Sequence, residues 1–359
     1  MSDASKTPHN PSVALKAGPP AWLAPLNTYV RAHAPQLGTL THVERFAAGH
    51  SNLTFMLQNE AGAQWVLRRP PQGAQVKTGH DMSREHRVLR GLASSQVPCP
   101  APVILCEDPE VLGAPFYIME RVEGVILRAP TSPWPEDVMA GVCAAFVDAL
   151  VKIHGVDLKR VGLQDLGQPQ GYVARQVKGW TGRYARAKTD DIPEMQKVAS
   201  WLDAHQPLSG QGTLIHNDFK YDNLVLAPDD PTTLRSVLDW EMATLGDPLM
   251  DLGTSLGYWV DPGDDPSIKA FQMGPTTAPG NLTREGLVEA YAAASGRDVG
   301  DALFYYVFGL FKICVIAQQI YARFVQGHTQ DPRFGGLIHA VRALSRAAWR
   351  AIQVGRISG

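Results

Sequence analysis

His216-Asn217-Asp218-Phe219-Lys220-Tyr221-Asp222-Asn223, followed by Val237-Leu238-Asp239-Trp240, is the strongest grouping of chemistry-bearing side chains in the sequence. Asp218 and Asn223 stand five residues apart, so one loop can offer a carboxylate and a carboxamide. Asp239 adds a second carboxylate beyond a short hairpin. In-line phosphoryl transfer needs such a set: a group that orients the attacking hydroxyl and accepts its proton, and hard oxygen ligands for Mg²⁺. The order base, Asn, Asp is also the order of the kinase scheme. Spacing alone equally describes a polar turn between two strands, where Asn and Asp are favoured for local reasons.

The elements around this loop divide the chain in two. A helix-compatible segment runs from Trp22 to Ala34, and Phe46–Leu57 and Gln64–Arg68 read as strands joined by a turn around Glu60 and Gly62. Ser83–Leu92 carries charge on one side and Val88, Leu89 and Leu92 on the other, a helix pattern. Val103–Cys106 and Pro115–Glu123 return to strand character. Beyond Gly124 the segments lengthen into helices, among them Asp137–His154 and Glu285–Ala294, with a small hairpin at 224–227 and 236–238. The boundaries expected are a disordered tail at 1–21, rich in Pro, Ser, Ala and Gly, a sheet-rich unit at 22–122 and a helical unit at 123–359.

The pattern His-x-Asp-x-x-x-x-Asn with a later Asp resembles the aminoglycoside phosphotransferase and choline kinase superfamily. From about 44 to 258 the chain looks like the branch whose phosphotransferase domains are fused to acyl-CoA dehydrogenases in animals. That resemblance implies an α+β, two-lobed, protein-kinase-like fold with a small β-rich N-lobe and a larger helical C-lobe. It implies ATP and Mg²⁺ bound between the lobes, and transfer of the γ-phosphoryl group to a metabolite hydroxyl. By the same resemblance Asp218 is the catalytic base and Lys220 steadies the transferring group. Asn223 and Asp239 hold the metal, and His216 packs beneath the loop.

The nucleotide side follows upstream. Side chains alternate along Gln64–Arg68, so Val66 and Arg68 share a face: Val66 can cover adenine while Arg68 reaches the phosphates. Kinases generally place Lys at that point; a guanidinium is always charged and binds phosphate bidentately, and Arg69 is the second choice. Glu85 resembles the helix glutamate that pairs with this cation, although an exposed carboxylate beside Arg84 and Arg87 is the other reading. The loop Ala47–Asn52 occupies the place of the phosphate-covering turn, with Ser51 and Asn52 among its backbone donors, but lacks the full glycine pattern. Met119–Val122 resembles the hinge, where backbone groups of Glu120 and Val122 would meet adenine; a plain buried strand end fits the same pattern.

Several features narrow the acceptor. Only eight positions separate Asp239 from Asp247, no A-P-E motif follows, and Asn217 replaces the usual Arg, all favouring a small-molecule acceptor over a protein. Gln176, Trp180, Arg183 and Tyr184 resemble the acceptor-side region, where Arg183 could bind an acidic group and Trp180 stack; a core-anchoring Trp is the competing reading. The fused-dehydrogenase resemblance suggests a hydroxyacyl thioester. Asp247 before Pro248 reads as a helix N-cap, and Asp251 as either an active-site aspartate or a helix-surface one.

Rival chemistries are weaker. Gly253-Thr254-Ser255-Leu256-Gly257 matches a nucleophile elbow, which would make the chain an α/β-hydrolase using Ser255, but the residues before it read as helix rather than strand. A catalytically silent, nucleotide-binding pseudokinase is the other alternative, kept open by Arg68. No Walker A motif is present. The 359 residues carry a net charge of −2, which supports neither a nucleic-acid nor a membrane surface. Ala302–Tyr321 is apolar, yet Lys312 interrupts it, so it reads as a buried core helix. Cys99, Cys106, Cys143 and Cys314 form no C-x-x-C pair and read as reduced thiols in a cytoplasmic protein.

Overall fold

The computed structural model describes residues 20–46, 52–71, 81–208 and 210–358, and the backbone of 12–14. Two compact units emerge: residues 1–126, 159–163 and 223–243 make the first, and 127–158, 164–222 and 244–359 the second.

The first unit is built on an antiparallel sheet in the order β1-β2-β3-β4-β6-β5. These strands are β1 (Ser12–Ala14), β2 (Leu40–Phe46), β3 (Leu53–Asn59), β4 (Gln64–Arg69), β5 (Pro102–Cys106) and β6 (Phe116–Glu120). Helix α1 (Leu23–His33) packs with Phe55, Leu57, Leu67, Phe116 and Ile118 in one apolar core. Residues alternate along a strand, so Val66, Arg68, Tyr117 and Met119 belong to the opposite face. Helix α2 (Met82–Leu92) lies against β5 and β6, capped by Asp81, whose carboxylate accepts the Arg84 N–H. Short helix α3 (Pro109–Leu112) precedes β6.

Phe46–Leu57, expected as one strand, is two here. β2 ends at Phe46 and β3 begins at Leu53, while residues 47–51 lie outside the described residues. β2 itself escapes pattern reading because its exposure does not alternate cleanly along Leu40–Phe46. β1 pairs with β2 inside the stretch expected to be a disordered tail; the rest of that tail, to residue 19, lies outside the described residues.

The hairpin of β8 (Leu224–Leu226) and β9 (Leu234–Val237), assigned to the second unit on sequence, packs with the first. Val125 bridges to Leu226, and the Val237 N–H donates to the Pro98 carbonyl, tying the hairpin to that unit's backbone.

The second unit is helical: α4 (Glu136–His154), α5 (Tyr172–Ala187), α6 (Pro193–Ala204), α7 (Pro248–Tyr258), α8 (Pro266–Lys269), α9 (Arg284–Ser295), α10 (Ala302–Val325) and α11 (Leu337–Val354). Strands β7 (Thr213–Ile215) and β10 (Thr244–Gly246) form a small antiparallel pair within it. α10 is buried along most of its length, packing on α5, α6, α7 and α11 as a core helix. Its contact with α7 is glycine-mediated: a Cβ on Gly309 would strike the Gly253 carbonyl, and one on Gly253 the Tyr305 carbonyl. α7 begins as expected, with Asp247 accepting the Leu249 N–H and Pro248 at its first position.

Candidate functional site

In the first unit, β4 and α2 bring together the nucleotide-side residues expected from sequence. Arg68, 8% exposed, donates to Glu85 in α2, which is 2% exposed. The same guanidinium donates to Asp239 Oδ1 at 3.1 and 3.2 Å and to Glu241 Oε2 at 3.1 Å. Asn52 closes the cluster, its amide donating to Glu241 Oε2 at 2.7 Å. Arg69 turns elsewhere, to the Leu112 carbonyl at 2.7 Å, so Arg68 alone of the pair faces the carboxylates. Burial of Arg68 works against its charge, but Glu85, Tyr117, Asp239 and Glu241 outweigh it and hold the guanidinium well above its ordinary value. Burial also pushes the Glu85 carboxyl up, to about 7, against the pull of Arg68; Asp239 adds to the rise.

Asp239 comes from the end of the β8–β9 hairpin. Leu224 pairs with Val237, and the Leu238 N–H donates to the Asn223 carbonyl at 2.8 Å, so the hairpin register sets Asn223 beside the residue preceding Asp239. Asp239 then takes a left-handed backbone (φ 66°), a conformation that Asp tolerates better than most residues. A 3₁₀ turn at Trp240–Met242 fixes it from behind, with buried Trp240 donating its indole N–H to the Val237 carbonyl at 2.9 Å.

A divalent cation suits this cluster on charge and donor chemistry. Three carboxylates share one guanidinium, an excess of negative charge that Mg²⁺ beside Asp239 would balance. Among the described residues no three His, Cys, Asp or Glu side chains form a ready cage. Mg²⁺ ordinarily takes only one or two protein carboxylates and completes its shell with phosphate oxygens and water, so Asn223 and Asp239 would be enough to hold it. Glu241, two residues after Asp239, was missed on sequence; the D-x-E spacing was the available signal.

Val66 pairs in register with Met119 on the face shared with Arg68. Glu120 ends β6, and its N–H is committed to the Ala101 carbonyl at 2.8 Å; Val122 follows in the connecting segment, half-buried. Ser51 lies outside the described residues.

In the second unit the loop after β7 carries Asp218 and Lys220. Lys220 Nζ donates to Asp218 Oδ2 at 2.7 Å and sits 4.8 Å from the Tyr258 ring centre. Burial alone would raise the Asp218 carboxyl, but Lys220, His216 and Lys312 hold it below the usual range. Burial likewise opposes the Lys220 charge, which Tyr258, Asp218 and Asp222 sustain, raising it. Asp218 is therefore an ionised, hydrogen-bonding carboxylate, a group better suited to aligning a hydroxyl than to removing its proton early.

Asp251 in α7 is the organiser of this loop. Fully buried, it accepts the N–H of His216 at 2.7 Å and of Asn217 at 2.6 Å, and meets His154 Nε2 at 3.2 Å. His154 continues to the Tyr291 hydroxyl at 2.7 Å. That geometry excludes the helix-surface reading of Asp251: its carboxylate is buried against the backbone of the loop that carries Asp218. His216, fully buried, stacks edge-on against Phe219, as a residue packed beneath the loop should. Ser255 lies mid-helix, 1% exposed, donating to the Phe219 carbonyl at 2.8 Å. No strand leads into it, and the flanking Gly253 and Gly257 serve the contact with α10. The elbow reading is thereby excluded.

On α5, Trp180 is 4% exposed and Arg183 stacks on its ring at 4.3 Å. Gln176 accepts the Trp180 indole N–H at 3.1 Å, and Tyr184 is buried. Trp180 is thus a packing residue that also holds an exposed cation in place.

The family model of the APH phosphotransferase enzyme family matches residues 42–296. Mouse acyl-CoA dehydrogenase family member 10 is 34% identical over 308 residues, covering 85% of this chain and 28% of the mouse protein. Human acyl-CoA dehydrogenase family member 11 is 34% identical over 317 residues, covering 85% of this chain and 40% of its own length. The chain therefore spans less than half the length of these curated relatives. A crystal structure from Ralstonia eutropha JMP134, assigned to the aminoglycoside phosphotransferases, is 31% identical with a TM-score of 0.79, covering 92% of this chain and 98% of its own. The fold is accordingly the kinase-like fold of that group, and the chain belongs to the APH phosphotransferase enzyme family.

Proposed function

We propose that the protein is an ATP- and Mg²⁺-dependent kinase that phosphorylates a hydroxyl of an acidic metabolite, such as a hydroxyacyl thioester. The observation that carries this reading is the pairing of an ionised Asp218 with Lys220 on the same loop whose end, Asn223, is hydrogen-bonded into the turn bearing Asp239. Asp218 accepts a hydrogen bond from the acceptor hydroxyl and holds the oxygen in line. Lys220 offers its charge to the oxygens of the transferring group, and Arg68, braced by Glu85, binds nucleotide phosphates. Asn223 and Asp239 would hold Mg²⁺, which would neutralise charge developing on the phosphate oxygens. As the O–P bond forms and the bond to ADP breaks, the hydroxyl proton passes to Asp218.

The acceptor's charge is read from the second unit. Arg183 on α5 presents an exposed guanidinium held on the Trp180 ring, while Asp251 is already committed to backbone amides. That exposed cation favours an anionic acceptor over an amino-sugar. The acyl-CoA dehydrogenase names of the relatives agree with a thioester. A coupled ADP-release screen with MgATP over hydroxyacyl-CoAs, amino-sugars, choline-like alcohols and sugars tests this. Release with hydroxyacyl-CoAs is expected. Release only with amino-sugars overturns the acceptor class, and ATP binding without release for any acceptor supports the silent pseudokinase.

A further inference from the structure

Lys312 stands near the middle of α10, 3% exposed within an apolar helix. Among the described residues it has no carboxylate within ion-pair distance. Its ammonium instead donates to the Asn217 carbonyl at 2.6 Å and to Thr254 Oγ1 at 3.4 Å. The Thr254 hydroxyl is oriented to accept, since it donates its own proton to the Met250 carbonyl at 2.9 Å. The Trp180 ring centre lies 5.9 Å from Nζ. Burying a charge on so few neutral partners is costly, so the contact calls for a return elsewhere.

Asn217 supplies it. It immediately precedes Asp218 and adopts a left-handed backbone (φ 68°), uncommon for a residue other than glycine. Three helices of the second unit anchor its polar groups. Asp251 of α7 takes its N–H, Tyr172 of α5 donates to its side-chain oxygen at 3.2 Å, and Lys312 of α10 takes its carbonyl. The glycine-mediated approach of α7 and α10 lets Asp251 and Lys312 reach one peptide segment from two helices.

We infer that Lys312 is a positioning residue: its ammonium clamps the Asn217 carbonyl and locks the left-handed turn that aims Asp218 at the acceptor hydroxyl. This rests on the kinase reading above for its functional half. The charged groups facing Lys312 are Asp218 and Lys220 on the loop, Asp251 on α7 and Arg183 on α5. Burial draws the amine down to about 8, so it remains largely an ammonium at neutral pH. Lys312 also pulls the Asp218 carboxyl down, reinforcing Lys220.

The test uses the full chain with Lys312→Met and Lys312→Arg. Crystal structures report the Asn217 and Asp218 backbone, calorimetry reports MgATP affinity, and steady-state kinetics report kcat and KM with the acceptor found by ADP release. Lys312→Met is expected to release Asn217 from the left-handed region and lower kcat by about 10²-fold, with MgATP affinity within about threefold of wild type. Lys312→Arg should recover at least about a tenth of wild-type kcat, because charge and donors return. An unchanged Asn217–Asp218 geometry in a folded Lys312→Met, or kcat within about threefold, overturns the proposal. Should Lys312→Met fail to fold, Lys312→Gln, which keeps a donor without the charge, faces the same measurements and criteria. Should wild type show no acceptor-dependent turnover, the kinase reading fails, and the crystal structures still decide the clamp.

Discussion

Asp218 and Arg68 each depend on neighbours for their character. Asp218 stays ionised because Lys220, His216 and Lys312 overcome its burial. Asp218→Asn keeps the shape and removes the proton acceptor, so turnover should fall by roughly 10²–10⁴-fold while MgATP affinity, read by calorimetry, changes little. Glu85 provides a pH test. Its folded carboxyl is raised from 4.5 to about 7 by burial, so between these values the folded chain holds a proton that the unfolded chain has lost. Its contribution to stability is complete below the lower value and disappears as pH rises through the upper one. The Glu85 contribution, read as the difference between wild type and Glu85→Gln in denaturant titrations, should therefore fall by about 1–3 kcal/mol between pH 4.5 and 7. Arg68→Ala leaves Glu85, Asp239 and Glu241 without their shared cation. It should raise the KM for ATP or lower turnover; an effect of Arg69→Ala on ATP kinetics alone would reassign the role.

At the scale of elements, the hairpin and the α7–α10 pair do the positioning. The β8–β9 register fixes Asn223 and Asp239 through backbone bonds, so both proposed ligands belong to one small structure. α7 and α10 meet at Gly253, Gly257 and Gly309, where any side chain would collide with the facing helix. Gly309→Ala should lower stability by about 1–3 kcal/mol and reduce turnover as well, since the contact sets Asp251 and Lys312 on one loop. Ser255→Ala should cost about 1 kcal/mol of stability, by orphaning the Phe219 carbonyl, and retain most turnover.

Much of this level was legible in the sequence, for definable reasons. α1, α2 and α4 announce themselves through apolar patterning and α7 through its Asp247-Pro248 start, and the Asp218-Asn223-Asp239 spacing is local. β2 was not, because its Thr41, His42, Glu44 and Arg45 carry no strict alternation. Nor were the roles of Glu241 and Lys312. Their partners lie 173 and 95 residues away, so only folding brings Arg68 and Asn217 to them. Lys312 did leave a trace, a charge in the apolar middle of a helix, that signals a partner without naming it.

For the whole molecule, the unit boundaries cut the chain several times, and the loop from His216 to Asn223 is where one unit hands over to the other in sequence. The proposed catalytic and metal-side groups are therefore adjacent along the chain although they belong to different units. This chain spans less than half the length of these relatives, so an acyl-CoA-linked acceptor is a proposal about this chain and not a property inherited from them. The most direct measurement is single-turnover transfer of labelled γ-phosphate from ATP to the acceptor, comparing wild type with Asp218→Asn and Asp239→Ala. Wild type should label the acceptor. Asp218→Asn should bind MgATP and transfer slowly, and Asp239→Ala should lose magnesium-dependent nucleotide binding. Equal transfer rates in all three proteins would contradict the account.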